Sequence, residues 1–306
     1  MRGLAEFAMG GRFRALLIAI ASSGSLLFAW VGAAMVALVT LRKGQGEGFW
    51  VLLWATLPAL VVAQATGDTS ILAMLMGTAA LAAILRGTVS LTLTALCTVV
   101  VGLGTGMLLL VFAEGLLAEL SKVFGDFFSS LDQRSIEAGG QALNLSPPSQ
   151  LQLAGMMGTA NAALCFLCLV LGRYWQAALY NPGGFGEEFR SLVLPKAVVW
   201  GLALIALGLA SIGLAYRSWG AAFLVPLTIA GFALLHARAK FRGQSSFWMG
   251  SVYTAWIVFD AAKLALILLV LADTLVGFRA RWGQPKSRGG EHKQDKNEDE
   301  HEDKDE

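Results

Sequence analysis

An all-α fold, a polytopic bundle of transmembrane helices, is what this sequence predicts, and three observations predict it. Of 306 residues, 56% are hydrophobic and only 14% are charged, against roughly 25% charged in an ordinary soluble domain. The charges sit in the gaps between long apolar runs and in a polar carboxyl-terminal stretch, as bilayer-spanning chains place them. The apolar runs themselves recur at about 13–41, 49–65, 70–85, 88–113, 153–172, 197–215, 219–235 and 247–278. A straight span needs about 20 residues for a hydrocarbon core roughly 30 Å thick. The middle runs therefore read as ordinary or slightly short spans.

The first and last runs are too long for one span and too short for two. Each reads as one tilted helix or as a broken pair, and Ser22-Ser23-Gly24-Ser25 supplies a break in the first. Arg2, Arg12 and Arg14 before that run resemble a signal peptide, but the run is much longer than a signal core of about 7–15 residues, and many apolar segments follow. It reads as an uncleaved first membrane segment after a short cytoplasmic stretch, residues 1–12. The membrane domain then occupies 13–278, in eight to ten helical segments.

Basic residues in short loops vote on orientation. Arg42 with Lys43, Arg86, Arg173 with Arg190 and Lys196, and Arg238, Lys240 and Arg242 all fall on one side if each middle run crosses once, and that side is expected to be cytoplasmic. Single crossings at the ends would put Arg2, Arg12, Arg14, Arg279, Arg281, Lys286 and Arg288 outside. Length favours single terminal helices; charge favours hairpins, with both termini cytoplasmic, and the charge reading is the one taken.

Two extramembrane stretches have texture. In the outer connection 114–152, Leu116, Leu120, Phe124, Phe127 and Leu131 recur at helical spacing, with Glu119, Lys122 and Asp126 elsewhere on the turn. That pattern is an amphipathic helix resting on lipid or on the bundle. In the loop 173–196, Tyr174, Trp175 and Tyr180 suit the headgroup belt. Asn181 to Gly184 is a turn that stops the preceding helix, and Glu187 and Glu188 favour the start of a short interfacial helix. Arg173, Trp175, Tyr180 and Phe185 are its candidate partner-docking residues. The stretch 279–306 is highly charged, and from Gly289 onward it has no apolar residue able to seed a core, so it is expected to be a disordered tail. No specific metal role is assigned to its His292 and His301.

Ionisable or amide side chains at membrane depth are functional candidates because each is costly unless paired or wet. Gln64, Asn161, Asp260 and Lys263 are the intramembrane candidates. Asp260 and Lys263 are three apart on one helix face and can neutralise each other, or mark the outer turn of a terminal hairpin. Gln64, Asn161 and the hydroxyl series Thr88, Ser90, Thr92 and Thr94 serve interhelical bonding or line a polar pocket. Cys165 and Cys168, like Cys97, lie in apolar runs without further ligands nearby and read as buried small hydrophobes. Small residues at four-residue spacing (Ala15, Ala19, Ser23; Ala29, Ala33, Ala37; Gly102, Gly106) allow close helix approach, and Pro58 and Pro226 predict kinks.

No nucleotide-binding P-loop, H-E-x-x-H or G-x-S-x-G motif is present. Ser23-Gly24 lacks a histidine base at matching depth, because His236 lies at a cytoplasmic helix end. No enzyme activity and no cofactor are expected. A net charge of +2, scattered over segment ends, implies no nucleic-acid partner.

The text Arg173-Tyr174-Trp175-Gln176-Ala177-Ala178-Leu179-Tyr180-Asn181-Pro182-Gly183-Gly184-Phe185, with Val39-Thr40-Leu41-Arg42-Lys43-Gly44 and Asp273-x4-Phe278-Arg279, resembles the YybS-like family of bacterial membrane proteins, a domain of unknown function. That family is distantly similar to the S components of energy-coupling-factor transporters and to MreD-like shape proteins. The resemblance covers most of the membrane region and implies a bacterial inner-membrane location. Two functions follow as expectations, the first favoured and the second its alternative. One is a subunit that binds or transports a small solute beside a separate energising partner. The other is a noncatalytic envelope scaffold whose 173–196 loop holds a membrane or cytoplasmic protein.

Overall fold

The computed structural model describes residues 2–142 and 144–282, and every regular element among them is a helix. The chain runs through α1 (Arg2–Met9), α2 (Arg12–Ser23), α3 (Ala29–Lys43), α4 (Gln45–Thr66), α5 (Ser70–Thr88), α6 (Leu91–Phe112) and α7 (Glu114–Glu137). It continues through α8 (Gln150–Tyr180), α9 (Gly184–Ser191), α10 (Lys196–Ile212), α11 (Leu214–Phe241), α12 (Ser246–Val258), α13 (Asp260–Val276) and α14 (Phe278–Trp282). Five helices, α4, α5, α6, α8 and α11, are long and apolar enough to cross a membrane, and the bent pairs α9–α10 and α12–α13 bring the number to seven if each counts as one span. The expected eight to ten segments thus reduce to five to seven candidate crossings. The balance lies in short helices and halves of bent pairs, too brief to cross alone.

Both terminal runs show why. The break expected at Ser22–Ser25 is present between α2 and α3. Its backbone is satisfied locally: Gly24 N–H donates to Ile20 O, Ser25 N–H to Ser22 O, and Phe28 N–H to Ser25 O. The Ser22 and Ser23 hydroxyls bond back to Ile18 O and Ile20 O. Phe13, at the start of α2, meets Trp50 near the start of α4, with ring centroids 6.3 Å apart, whereas Gly24 lies against Pro58 in the middle of α4. So α2 climbs only part of the height of α4 before α3 runs back beside it. α3 has 15 residues, ~22 Å at 1.5 Å per residue, short of a roughly 30 Å core. It is nonetheless the most enclosed helix, buried almost continuously from Gly32 to Leu41 against α2, α4, α5 and α8.

At the other terminus the axis turns by 114° between α12 and α13. Trp248 near the start of α12 and Phe278 just beyond α13 line the same groove, so the chain returns to the end from which it left. α13 is tied to α10 by Trp200 Nε1, which donates to Thr274 Oγ1 at 3.1 Å. α12 has no buried residue. The sequence boundary placed at 278/279 falls inside α14; residues 283–306, with most of the expected tail, lie outside the described residues.

Small residues set the closest helix approaches. On α8, Gly158 meets the backbone of Gly102 and Gly106 on α6, where an added Cβ would collide with Gly102 O and stand 2.9 Å from Gly106 N. Gly172 on α8 touches Ala34 O and Ala37 on α3, and Gly32 on α3 faces Ala19 O on α2. The stripes Ala15–Ala19–Ser23 and Ala29–Ala33–Ala37 are buried inside the bundle. Since lipid tails are as apolar as leucine, close backbone packing is what holds such helices together. α4 and α11 continue as helices through Pro58 and Pro226.

At the end of the bundle opposite Arg86 and Arg173, the amphipathic helix expected after Glu114 is present as α7. Its first turns pack Leu117 against Leu109, Ala113, Leu153 and Ala154, while Phe127 is exposed. Ser121 Oγ donates to Pro148 O at 2.9 Å, and Ser149 caps α8 by accepting from Gln152 N–H.

Replacing Gly158 by Ala is expected to force α6 and α8 apart, costing about 1–3 kcal/mol by overpacking. Gly104→Ala on the same pair, where nothing lies within 4 Å of the new Cβ, is expected to leave the thermal midpoint of the detergent-solubilised protein unchanged. Fluorescence-detected thermal melts of both variants check this.

Candidate functional site

The loop nominated by the sequence is the part of the basic end with the most tertiary bracing. α8 stops at Tyr180, Gly183 turns the chain with φ +90°, and the eight residues of α9 follow, so the expected turn and short helix are both present. Glu188 on α9 pairs with Arg173 on α8 at 2.7 Å, each about a quarter exposed. Arg173 also donates to Gln176 Oε1 at 3.0 Å, and Gln176 Nε2 donates onward to Leu41 O at 3.2 Å.

The reach to Leu41 matters because α3 ends there. The last carbonyls of a helix have no partner within it. Arg86, from the end of α5, donates to Thr40 O at 3.2 Å and Leu41 O at 2.6 Å. The Arg42 guanidinium lies 3.8 Å from the centroid of the Tyr180 ring, a cation–π contact worth about 0.5–1 kcal/mol at an exposed site. Across the loop, Arg279 on α14 donates to Arg190 O at 3.0 Å and Leu192 O at 2.9 Å. Burial holds the Arg279 guanidinium below its ordinary pKa, an effect that Asp273 opposes. Asp273 itself accepts from Phe278 N–H at 2.8 Å.

Beside these contacts lies a groove of about 280 Å³ between Tyr174, Ala177 and Ala178 on α8 and Pro182, Gly183, Phe185 and Gly186. Phe185 packs on Phe189, and Phe189 meets the His236 ring edge-on with centroids 5.4 Å apart. His236 Nε2 shares a 2.8 Å hydrogen bond with the Tyr253 hydroxyl, the donor depending on the imidazole tautomer. Of the four nominated docking residues, Phe185 and the exposed Tyr180 reach the loop surface, and Arg173 is spent on Glu188. Trp175 turns inward at 1% exposure, and its indole N–H has no acceptor among the described residues. It serves packing.

The intramembrane candidates do not converge. Asn161 Nδ2 donates to Thr105 Oγ1 at 2.9 Å, an interhelical bond between α8 and α6, and the Cys165 thiol approaches Asn161 Oδ1 at 3.7 Å and Met74 O at 3.5 Å. Gln64 is exposed in the last turn of α4. Lys263 donates to Asp260 at 2.8 Å, with side chains 45% and 95% exposed, at the turn between α12 and α13. Of the hydroxyl series, Thr88 and Thr94 bond to their own helix backbone, Ser90 caps α6, and Thr92 reaches Val193 O at 3.5 Å. No group of three or more His, Cys, Asp or Glu side chains able to hold a metal ion occurs among the described residues.

Sequence reading missed Arg86 and Gln176 as caps and the His236–Tyr253 pair. Gln176 stands three residues after Arg173, a spacing that signals a shared helix face; nothing in the text pointed from Arg86 to Leu41. No family model matches the chain, and neither a curated protein nor a solved structure does.

Trp175→Phe is expected to keep the thermal midpoint close to that of the parent, because it removes an unbonded buried N–H along with part of the ring. Trp175→Ala is expected to cost about 3–5 kcal/mol by leaving a cavity. Denaturation of both variants in the same micelle compares them.

Proposed function

We propose that this chain is a noncatalytic scaffold of the bacterial inner membrane, which presents its 173–196 loop in the cytoplasm as a docking surface for a protein partner. The observation that carries the reading is the groove between Tyr174 and Phe185, an exposed aromatic slot on a loop fixed from beneath. Arg173–Glu188 holds α9, Arg42 holds Tyr180, and Arg279 holds the exit toward α10. A surface fixed before binding loses little conformational entropy when a partner docks.

Orientation follows from charge. Arg42, Lys43, Arg86, Arg173, Arg190, Lys196, Arg238, Lys240, Arg242, Arg279 and Arg281 belong to one end of the bundle, which by the positive-inside rule faces the cytoplasm. The same charges define the partner: an apolar or aromatic anchor for the slot, flanked by acidic residues. The resemblance to YybS-like proteins agrees with a bacterial envelope setting. The solute-subunit reading finds less support, because Asn161 bonds to Thr105, and Asp260 to Lys263 at an exposed turn, rather than lining a shared cavity.

A photoactivatable residue at position 185 is expected to crosslink one recurrent protein species in membranes of the source cell, whereas one at position 127 on α7 does not. The crosslink from position 185 is expected to weaken at least tenfold in a Tyr174→Ala background that keeps its thermal stability, the scale of a contact residue worth over about 1.4 kcal/mol. No recurrent species at 185, together with ligand-induced thermal stabilisation across a panel of small solutes, would favour the solute subunit instead.

A further inference from the structure

A second groove, apart from the docking loop, lies between the end of α11, the α12–α13 hairpin and α14. Its volume is about 270 Å³, and Leu234, Leu269, Trp248, Phe278 and Trp282 make its walls almost wholly apolar. One charged residue enters it, Arg238, in the last turn of α11. Arg238 makes no side-chain hydrogen bond or ion pair with any described residue, in contrast to Arg86, Arg173 and Arg279, which are all engaged. Arg242, the residue that caps α11, follows four positions later and is exposed. The carboxylate adjoining the groove, Asp273, already accepts from Phe278 N–H and acts on Arg279.

We infer that this groove binds one anionic phospholipid of the bilayer, with an acyl chain along the apolar walls and the phosphate on Arg238 and Arg242. Three features select that occupant. α12 buries none of its residues in the protein, so the groove opens on a flank that faces lipid. The volume is below the roughly 300–1,000 Å³ that encloses a soluble small molecule, but an open slot suits a segment of chain. Trp248 and Trp282, two of its lining residues, are of a type that favours the boundary between hydrocarbon and headgroup. Two like charges four apart on one helix repel, and an anion between them removes that cost.

The full chain in nanodiscs of mixed phosphatidylglycerol and phosphatidylcholine, released for native mass spectrometry, tests the site. The parent is expected to retain one phosphatidylglycerol. Arg238→Gln is expected to reduce its preference for phosphatidylglycerol by at least roughly tenfold, beyond the about fivefold that one surface cation supplies through diffuse attraction. Lys196→Gln, an exposed cation on the same end, is expected to stay within that fivefold, and Leu269→Trp, which fills the groove, to lose the retained lipid. An unchanged preference in Arg238→Gln, an equal loss in Lys196→Gln, or retention in Leu269→Trp overturns the inference. So does a retained mass equal to a second chain. If Arg238→Gln fails to fold, a phosphatidylglycerol with a diazirine in its acyl chain decides on the parent: adducts at Trp248, Leu269 or Trp282 support the site, and adducts confined to other helices overturn it.

Discussion

A backbone N–H or C=O surrounded by hydrocarbon has no water to bond, and leaving one unpaired costs several kcal/mol. The architecture of this chain follows from how that cost is avoided where helices stop short. α3 is the sharpest instance, a ~22 Å helix enclosed by four others. Its amino end is closed by a tight sequence of local bonds between Ile20 and Phe28, and its carboxyl end by Arg86 and Gln176 reaching over from α5 and α8. Thr40 O also accepts from Gly44 N–H at 3.2 Å, so it is the Leu41 carbonyl that depends on those two side chains. With them, three helices that are distant in sequence are fixed at one level.

Close packing provides the second constraint, and it acts through absent side chains. Gly158 against Gly102 and Gly106, Gly172 against Ala34, and Gly32 against Ala19 let backbones touch. The small residues define where ridges meet, and Asn161–Thr105 adds one directional bond to the α6–α8 seam.

The basic end combines these two themes. Arginines that the membrane would repel from its core collect there, and four are used as connectors: Arg86 to α3, Arg173 to α9, Arg42 to Tyr180, Arg279 to the α9–α10 link. The loop of 173–196 is in this way a structural junction as well as an exposed surface. The groove beside Phe185 and an Arg238 with no side-chain partner among the described residues stand out against that background.

Much of this was legible in the residues themselves. Charge poverty dictated membrane helices, Ser22–Ser25 marked the break, Asn181–Gly184 and Glu187 marked the turn and α9, and the period of Leu116 to Leu131 marked α7, because each depends on local conformational preference or on solvent. The number of crossings was less legible, since apolar length does not say whether a run crosses or turns back, as it does through 114° after Val258. Side-chain roles were least legible. Trp175 reads as an interfacial anchor and is core, and Arg86 reads as a loop charge and caps a helix 45 residues earlier in the chain. Those assignments depend on which helix ends lie within a few ångströms of each other, a property of the assembled bundle that no stretch of sequence contains.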